Sequence, residues 1–148
     1  MSTQAEQIVE VARSWIGTPY VHQASKQGAG TDCLGLLRGI WRDIYGAEPE
    51  AVPAYSMDWS EPQGEERLWH AAQRHLTEKS SDDTATGDVL LFRMRAGSVA
   101  KHLGIVSSGG AAATFIHAYS KYGVVESALS VPWQKRIAAR FVFPMEVY

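Results

Sequence analysis

The chain is short of cysteine and of charge imbalance, and it has no long apolar run. One cysteine, Cys33, stands in 148 residues, which excludes an internal disulfide and any metal site built from several cysteines. Fourteen Lys and Arg face sixteen Asp and Glu, a net charge of −2, so no electrostatic case exists for nucleic acid as a partner. No stretch approaches the ~20 apolar residues that a membrane span needs. The start, Met1 to Gln7, has no basic region followed by an apolar run and so does not read as a secretory signal. The expectation is a chain soluble and cytoplasmic where it is made, or carried out by a route its own sequence does not encode. Its length suits a single domain over residues 1–148 with a real core, and no internal repeat suggests otherwise.

What is present is organised around Thr31-Asp32-Cys33-Leu34-Gly35-Leu36-Leu37. After Cys33, apolar side chains at Leu36, Leu37, Ile40, Trp41 and Ile44 form one stripe at helical spacing. Asp32 sits where an N-cap belongs, and Gly46 where a helix stops. Cys33 is then the first residue of a buried helix, facing the positive end of its dipole and its unpaired amides. These favour the nucleophilic thiolate, while the neighbouring Asp32 charge opposes it. A buried, inert thiol is the plain alternative at such a position.

Upstream, residues 4–16 place Ile8, Val11, Ala12, Trp15 and Ile16 at helical spacing before Gly17, an amphipathic helix closed by glycine. Thr18-Pro19-Tyr20 begins an extended stretch, and Ser25 to Thr31, with Gly28 and Gly30, reads as a flexible loop. Residues 47–62 carry Pro49, Pro53 and Pro62 with the exposed-looking Tyr55 and Trp59, an irregular excursion. Residues 65–78 read as helix, with Leu68, Ala71, Ala72, His75 and Leu76 on one side. His70 and His75 are five apart, not at the three or four spacing that puts two ligands on one face, so both read as solvated or half-packed.

The second half changes character. Val89–Phe92, His102–Val106, Thr114–Tyr119, Val124–Ser127 and residues 138–143 are strand-length runs parted by glycine turns, an antiparallel meander. Helices first and strands after give an α+β fold with the cysteine helix on the sheet. His102 opens one strand and His117 lies in the next, positions that antiparallel neighbours bring side by side. Singly, each is best read as a core histidine. Together with a lone cysteine at a helix start, they match a thiol nucleophile, a general base and a third polar group orienting the base. Zinc is the rival use, but no carboxylate stands beside them at suggestive spacing, so no metal is expected.

Five segments, Trp15-Ile16-Gly17-Thr18-Pro19-Tyr20, Asp32-Cys33-Leu34-Gly35-Leu36, Gly87-Asp88-Val89-Leu90-Leu91-Phe92, His102-Leu103-Gly104-Ile105-Val106 and Phe115-Ile116-His117-Ala118, resemble the NlpC-type cell-wall cysteine peptidases. They are most similar to a short branch found in phage tails and gene-transfer particles. The resemblance runs from about residue 5 to 143. It implies a papain-like α+β fold with N-terminal helices packed on an antiparallel sheet. It also implies Cys33 as nucleophile, His102 as base, His117 as third polar residue and no cofactor. Tyr20 matches the tyrosine lining the pocket, and Asp32 the aspartate that holds the free amino end of a stem peptide. Leu34 replaces the usual small hydroxyl residue beside the substrate, a departure bearing on which bond is cut. The implied substrate is the peptidoglycan stem peptide, cut between D-glutamate (through its γ-carboxyl) and diaminopimelate, with phage-tail or gene-transfer-particle proteins as implied partners. Two other uses of the residues stay open: a catalytically silent tail plug or adaptor, with Trp41, Trp59, Trp69 and Trp133 marking contact surfaces, and an amidase or acyltransferase on the same triad.

Overall fold

The computed structural model describes residues 3–52, 55, 64–80 and 82–145. Pro53, Trp59 and Pro62 of the expected excursion lie outside the described residues. Helix α1 (Gln4–Ser14) starts where the Thr3 hydroxyl accepts from the Glu6 amide at 3.1 Å, satisfying one free donor of the first turn. It buries Ile8, Val9 and Ala12. It stops short of the expected residue 16, and Ile16 is left exposed. Helix α2 (Cys33–Tyr45) has the bounds the sequence predicts: the Asp32 carboxylate accepts from the Gly35 amide at 2.7 Å, and Gly46, at φ 93°, closes it. Leu36 and Ile40 are buried in its stripe, while Leu37, Trp41 and Ile44 pack half-buried beside them. A Cβ on Gly39 would sit 2.1 Å from the ring of Trp15, so the absent side chain is what lets α1 and α2 close on each other.

The expected flexible loop before Cys33 is a small hairpin, β1 (Ser25–Lys26) against β2 (Gly30–Thr31). It is docked on the first turn of α2. The Ala24 carbonyl approaches so closely that a Cβ on Gly35 would lie 1.9 Å from it, and the Ser25 hydroxyl donates to the Gly35 carbonyl at 2.6 Å. Helix α3 (Arg67–His75) is shorter than the 65–78 expected. Leu76 is extended but still buried, and Thr77–Lys79 forms β3. Apolar spacing carried the helix too far, because Leu76 faces the core from a strand start.

The remaining strands are β4 (Val89–Phe92), β5 (His102–Ser108), β6 (Thr114–Tyr119), β7 (Gly123–Ala128) and β8 (Ile137–Val142), with a one-turn helix α4 (Val131–Gln134) before the last. Every pairing in the six-stranded sheet is antiparallel, in the order β3-β8-β4-β5-β6-β7. The meander holds from β4 to β7, but the last long strand returns to β4 instead of adding to β7. Burial explains this. All four residues of β4 are fully covered, whereas β7 alternates towards solvent from Val125 onward. Buried backbone amides and carbonyls must be hydrogen-bonded along both edges, so fully covered β4 needs a strand on each side.

Two apolar clusters cover the two faces of the sheet. One, with α1, α2 and α3, gathers Ile8, Leu36, Ile40, Leu68, Leu91, Leu103, Ile105 and Ile116. The other gathers Leu90, Phe92, Val106, Phe115 and Leu129 under Trp133 of α4. No helix among the described residues is long and apolar enough to cross a membrane.

Candidate active site

Strand alternation decides which rings meet. His102, Gly104 and Val106 share one face of β5, and Phe115, His117 and Tyr119 share the same face of β6. A Cβ on Gly104 would come within 2.8 Å of the Phe115 ring and 3.5 Å of the His117 Cβ, so glycine here leaves room for the rings. His102 Nε2 and His117 Nδ1 stand 2.8 Å apart, and His117 Nε2 stands 3.0 Å from Ser127 Oγ on β7. Trp133 closes the group from α4, its ring centroid 5.7 Å from His102 and 5.2 Å from His117. Phe92 and Tyr119 flank His102 at 5.7 and 5.8 Å.

Cys33 approaches this group from the other side. Its thiol lies 3.8 Å from the Lys101 carbonyl, which the S–H meets as donor, and the amides of Leu103, Leu34 and Cys33 itself face the sulfur. The sulfur is therefore seated against the backbone on both sides of His102. Cys33, His102, Tyr20 and Asp32 line one cavity of about 300 Å³, together with His22, Tyr55, Lys101 and Tyr119. His117 stands behind His102, fully buried.

Burial settles the resting protonation. It pushes the Cys33 thiol up to about 12, the Asp32 charge adding to the effect, and the three backbone amides pull back only in part. Burial brings His102 down to about 3, with His117 beside it adding to the shift, and brings His117 down to about 4. Each charge taken singly is poorly solvated here. The resting site thus holds a neutral thiol and two neutral imidazoles. Of the opposing influences read from the sequence at Cys33, the helix start and the aspartate, neither is the largest; desolvation is. Tyr20, half-buried between Cys33 and Asp32, is raised to about 12, by burial first, and stays a phenol.

Asp32 is buried and fully engaged. Oδ1 accepts from the Gly35 amide, and Oδ2 accepts from the Gln23 amide at 2.7 Å and the Tyr55 hydroxyl at 2.5 Å, with His22 Nδ1 at 3.7 Å. Tyr55 is thus half-buried on the cavity wall and not the exposed aromatic expected. Leu34 points elsewhere: it lines a separate, larger cavity of about 470 Å³ between α2 and α3, with Leu37, Trp41 and Leu68, and does not line the cavity of Cys33. His75 pairs with Glu50 at 2.7 Å on the rim of that larger cavity. Among the described residues no cluster of three metal-ligating side chains occurs. Sequence pattern does not mark His22, Ser127 or Lys101 for this site and offers Trp133 only an outer surface. The alternation of β6 with β7 could have pointed to Ser127; nothing local marks the others.

The family model described as NlpC/P60 matches residues 17–141. The chain is 29% identical over 130 residues to the murein DD-endopeptidase MepS/murein LD-carboxypeptidase of Escherichia coli, covering 87% of this chain and 57% of that protein. It is 28% identical over 124 residues to the probable endopeptidase NlpC of Escherichia coli, covering 83% of this chain and 68% of that protein. The chain thus spans little more than half the length of the first. Among solved structures, the NlpC/p60 domain of the peptidoglycan hydrolase SagA superposes with a TM-score of 0.60 at 25% identity, covering 97% of this chain and all of that one. An NlpC/P60 family protein from Bacillus cereus superposes with a TM-score of 0.66 at 18% identity, covering 97% of this chain and 41% of that one; that likeness concerns the fold.

Proposed function

The chain belongs to the NlpC/P60 family, and from that premise we propose that it is a cysteine endopeptidase hydrolysing amide bonds in peptidoglycan stem peptides. The observation that carries the reading is the single cavity lined by Cys33 at a helix start and by His102, whose Nε2 is already engaged by His117. Nδ1 is then the ring nitrogen left for the thiol. The murein named for the first Escherichia coli relative and the peptidoglycan hydrolase named for the SagA domain support peptidoglycan as the substrate. The bond between γ-D-glutamate and diaminopimelate comes from the resemblance, whereas the first relative's name speaks of DD-endopeptidase and LD-carboxypeptidase action. The phage-tail or gene-transfer-particle setting rests on the resemblance alone.

The chemistry follows from the neutral resting pair. Substrate displaces water from the cavity and brings its amide carbonyl to Sγ. The thiol proton passes to His102 Nδ1 as the S–C bond forms, so His102 acts as general base in the attack itself. The oxyanion meets the amides of Cys33 and Leu34 at the N-terminus of α2. Imidazolium His102 then protonates the leaving amine, and water hydrolyses the thioester with His102 again as base. His117 orients the ring without exchanging the proton with sulfur. Asp32 receives the free ammonium of the stem peptide at Oδ2, where Tyr55 now donates. Tyr20 lines the same wall, while Leu34 faces the larger cavity between α2 and α3 and takes no part in this subsite.

Cys33→Ala is expected to abolish lysis of purified peptidoglycan with the fold intact, and lysis equal to wild type rules this mechanism out. His102→Ala should be nearly as damaging and His117→Ala milder. A catalytically silent adaptor is favoured by one observation, the 7% exposure of Cys33 with its raised thiol pKa. Against it, Trp41 and Trp133 pack against their own chain instead of marking a contact surface. The amidase or acyltransferase use of the same residues is separated by mass analysis of the products.

A further inference from the structure

The two histidines are joined to a third residue that no comparison assigns. Ser127 lies on β7 two residues beyond Val125, the cross-strand partner of His117, the diagonal position that longer side chains reach. Its Oγ meets His117 Nε2 at 3.0 Å, and His117 Nδ1 meets His102 Nε2 at 2.8 Å. The chain of contacts runs from half-exposed Ser127 through fully buried His117 to the cavity wall.

The direction of the protons along it matters, and here the argument rests on the reading of His102 as general base. A neutral imidazole carries one ring proton. For Nδ1 of His102 to accept from the thiol, that proton must sit on Nε2, where it is donated to His117 Nδ1. His117 must then carry its own proton on Nε2, and among the described residues its acceptor there is Ser127 Oγ. In the reverse arrangement the Ser127 hydroxyl donates to His117 Nε2, both rings are protonated on Nδ1, and the base is lost. Half-exposure lets the serine proton turn to water, so its oxygen accepts without leaving a buried donor unmet.

We propose that Ser127 is a positioning residue: by accepting from His117 Nε2–H it holds both imidazoles in the Nε2–H tautomer and keeps His102 Nδ1 bare towards Cys33. The test is ¹⁵N NMR of the imidazoles in the resting full chain, together with steady-state kinetics on a defined stem peptide. Wild type should show both rings protonated on Nε2. Ser127→Ala should shift the His117 tautomer and lower kcat about two- to tenfold with KM unchanged, the loss that goes with one hydrogen bond. Ser127→Thr, which keeps the hydroxyl, should restore both. Wild-type His117 protonated on Nδ1, or unchanged tautomers in Ser127→Ala, overturns the proposal. The tautomers are read without substrate, so they stand apart from the Cys33→Ala test of the hydrolase reading.

Discussion

Acidification between pH 6.5 and 5 should cost this fold several kcal/mol through two rings. His102 is held down at about 3 and His117 at about 4, both from 6.5, mainly because burial leaves their cations unsolvated. Below pH 6.5 the unfolded chain takes up protons that the folded chain refuses, so stability falls as pH falls through that window. At pH 5, about 1.5 units below the unfolded value, each ring costs about 2 kcal/mol, and the pair about 4. That is a large share of the ~5–15 kcal/mol that holds a domain together. The window lies above the ordinary carboxylate range, where Glu48 and Glu126, both held low by arginine partners, add their own loss at lower pH. Urea unfolding of wild type and His117→Asn at pH 7, 6 and 5 reads the effect. Wild type should lose about 4 kcal/mol and the variant about 2, because one titration is gone. A stability independent of pH from 7 to 5 refutes the claim that burial keeps these rings neutral.

Three further outcomes follow from the geometry. Alkylation of resting Cys33 should be slow at pH 7 and still rising above pH 9, since burial pushes the thiol up to about 12; a rate already at its plateau by pH 7 indicates a pre-formed thiolate instead. Gly35→Ala should lose about 1–3 kcal/mol in thermal or urea unfolding as the new Cβ is driven against the Ala24 carbonyl, and a wild-type melting curve contradicts the docking of the hairpin on α2. Tyr55→Phe removes the hydroxyl from Asp32 Oδ2 and should cost about 1 kcal/mol of stability while lowering KM for stem peptides with a free amino end. An unchanged KM removes Tyr55 from the substrate subsite.

Local pattern carried what is local. The cap at Asp32 and the stop at Gly46 delimited α2 because both act within one turn of the chain, and Val89–Phe92 read as a strand from its apolar run and length. The return of β8 to β4 was not legible, since it depends on which strand lacks a neighbour after the meander forms. The same holds for Trp133 and Ser127: each gains its place only when α4 folds under the sheet and β7 pairs with β6. Cys33, His102, Tyr20 and Asp32 line one cavity, the last two singled out for it beforehand only by the family resemblance. The protonation of that cavity was not readable beforehand, because desolvation is a property of the assembled surroundings.

The most direct measurement is incubation of wild type and Cys33→Ala with muropeptides of known structure, followed by mass spectrometry of the products. Wild type should release a fragment ending in γ-D-glutamate, with a new amine on diaminopimelate, and Cys33→Ala should release nothing. Cleavage by both proteins alike, or by neither, contradicts the endopeptidase reading.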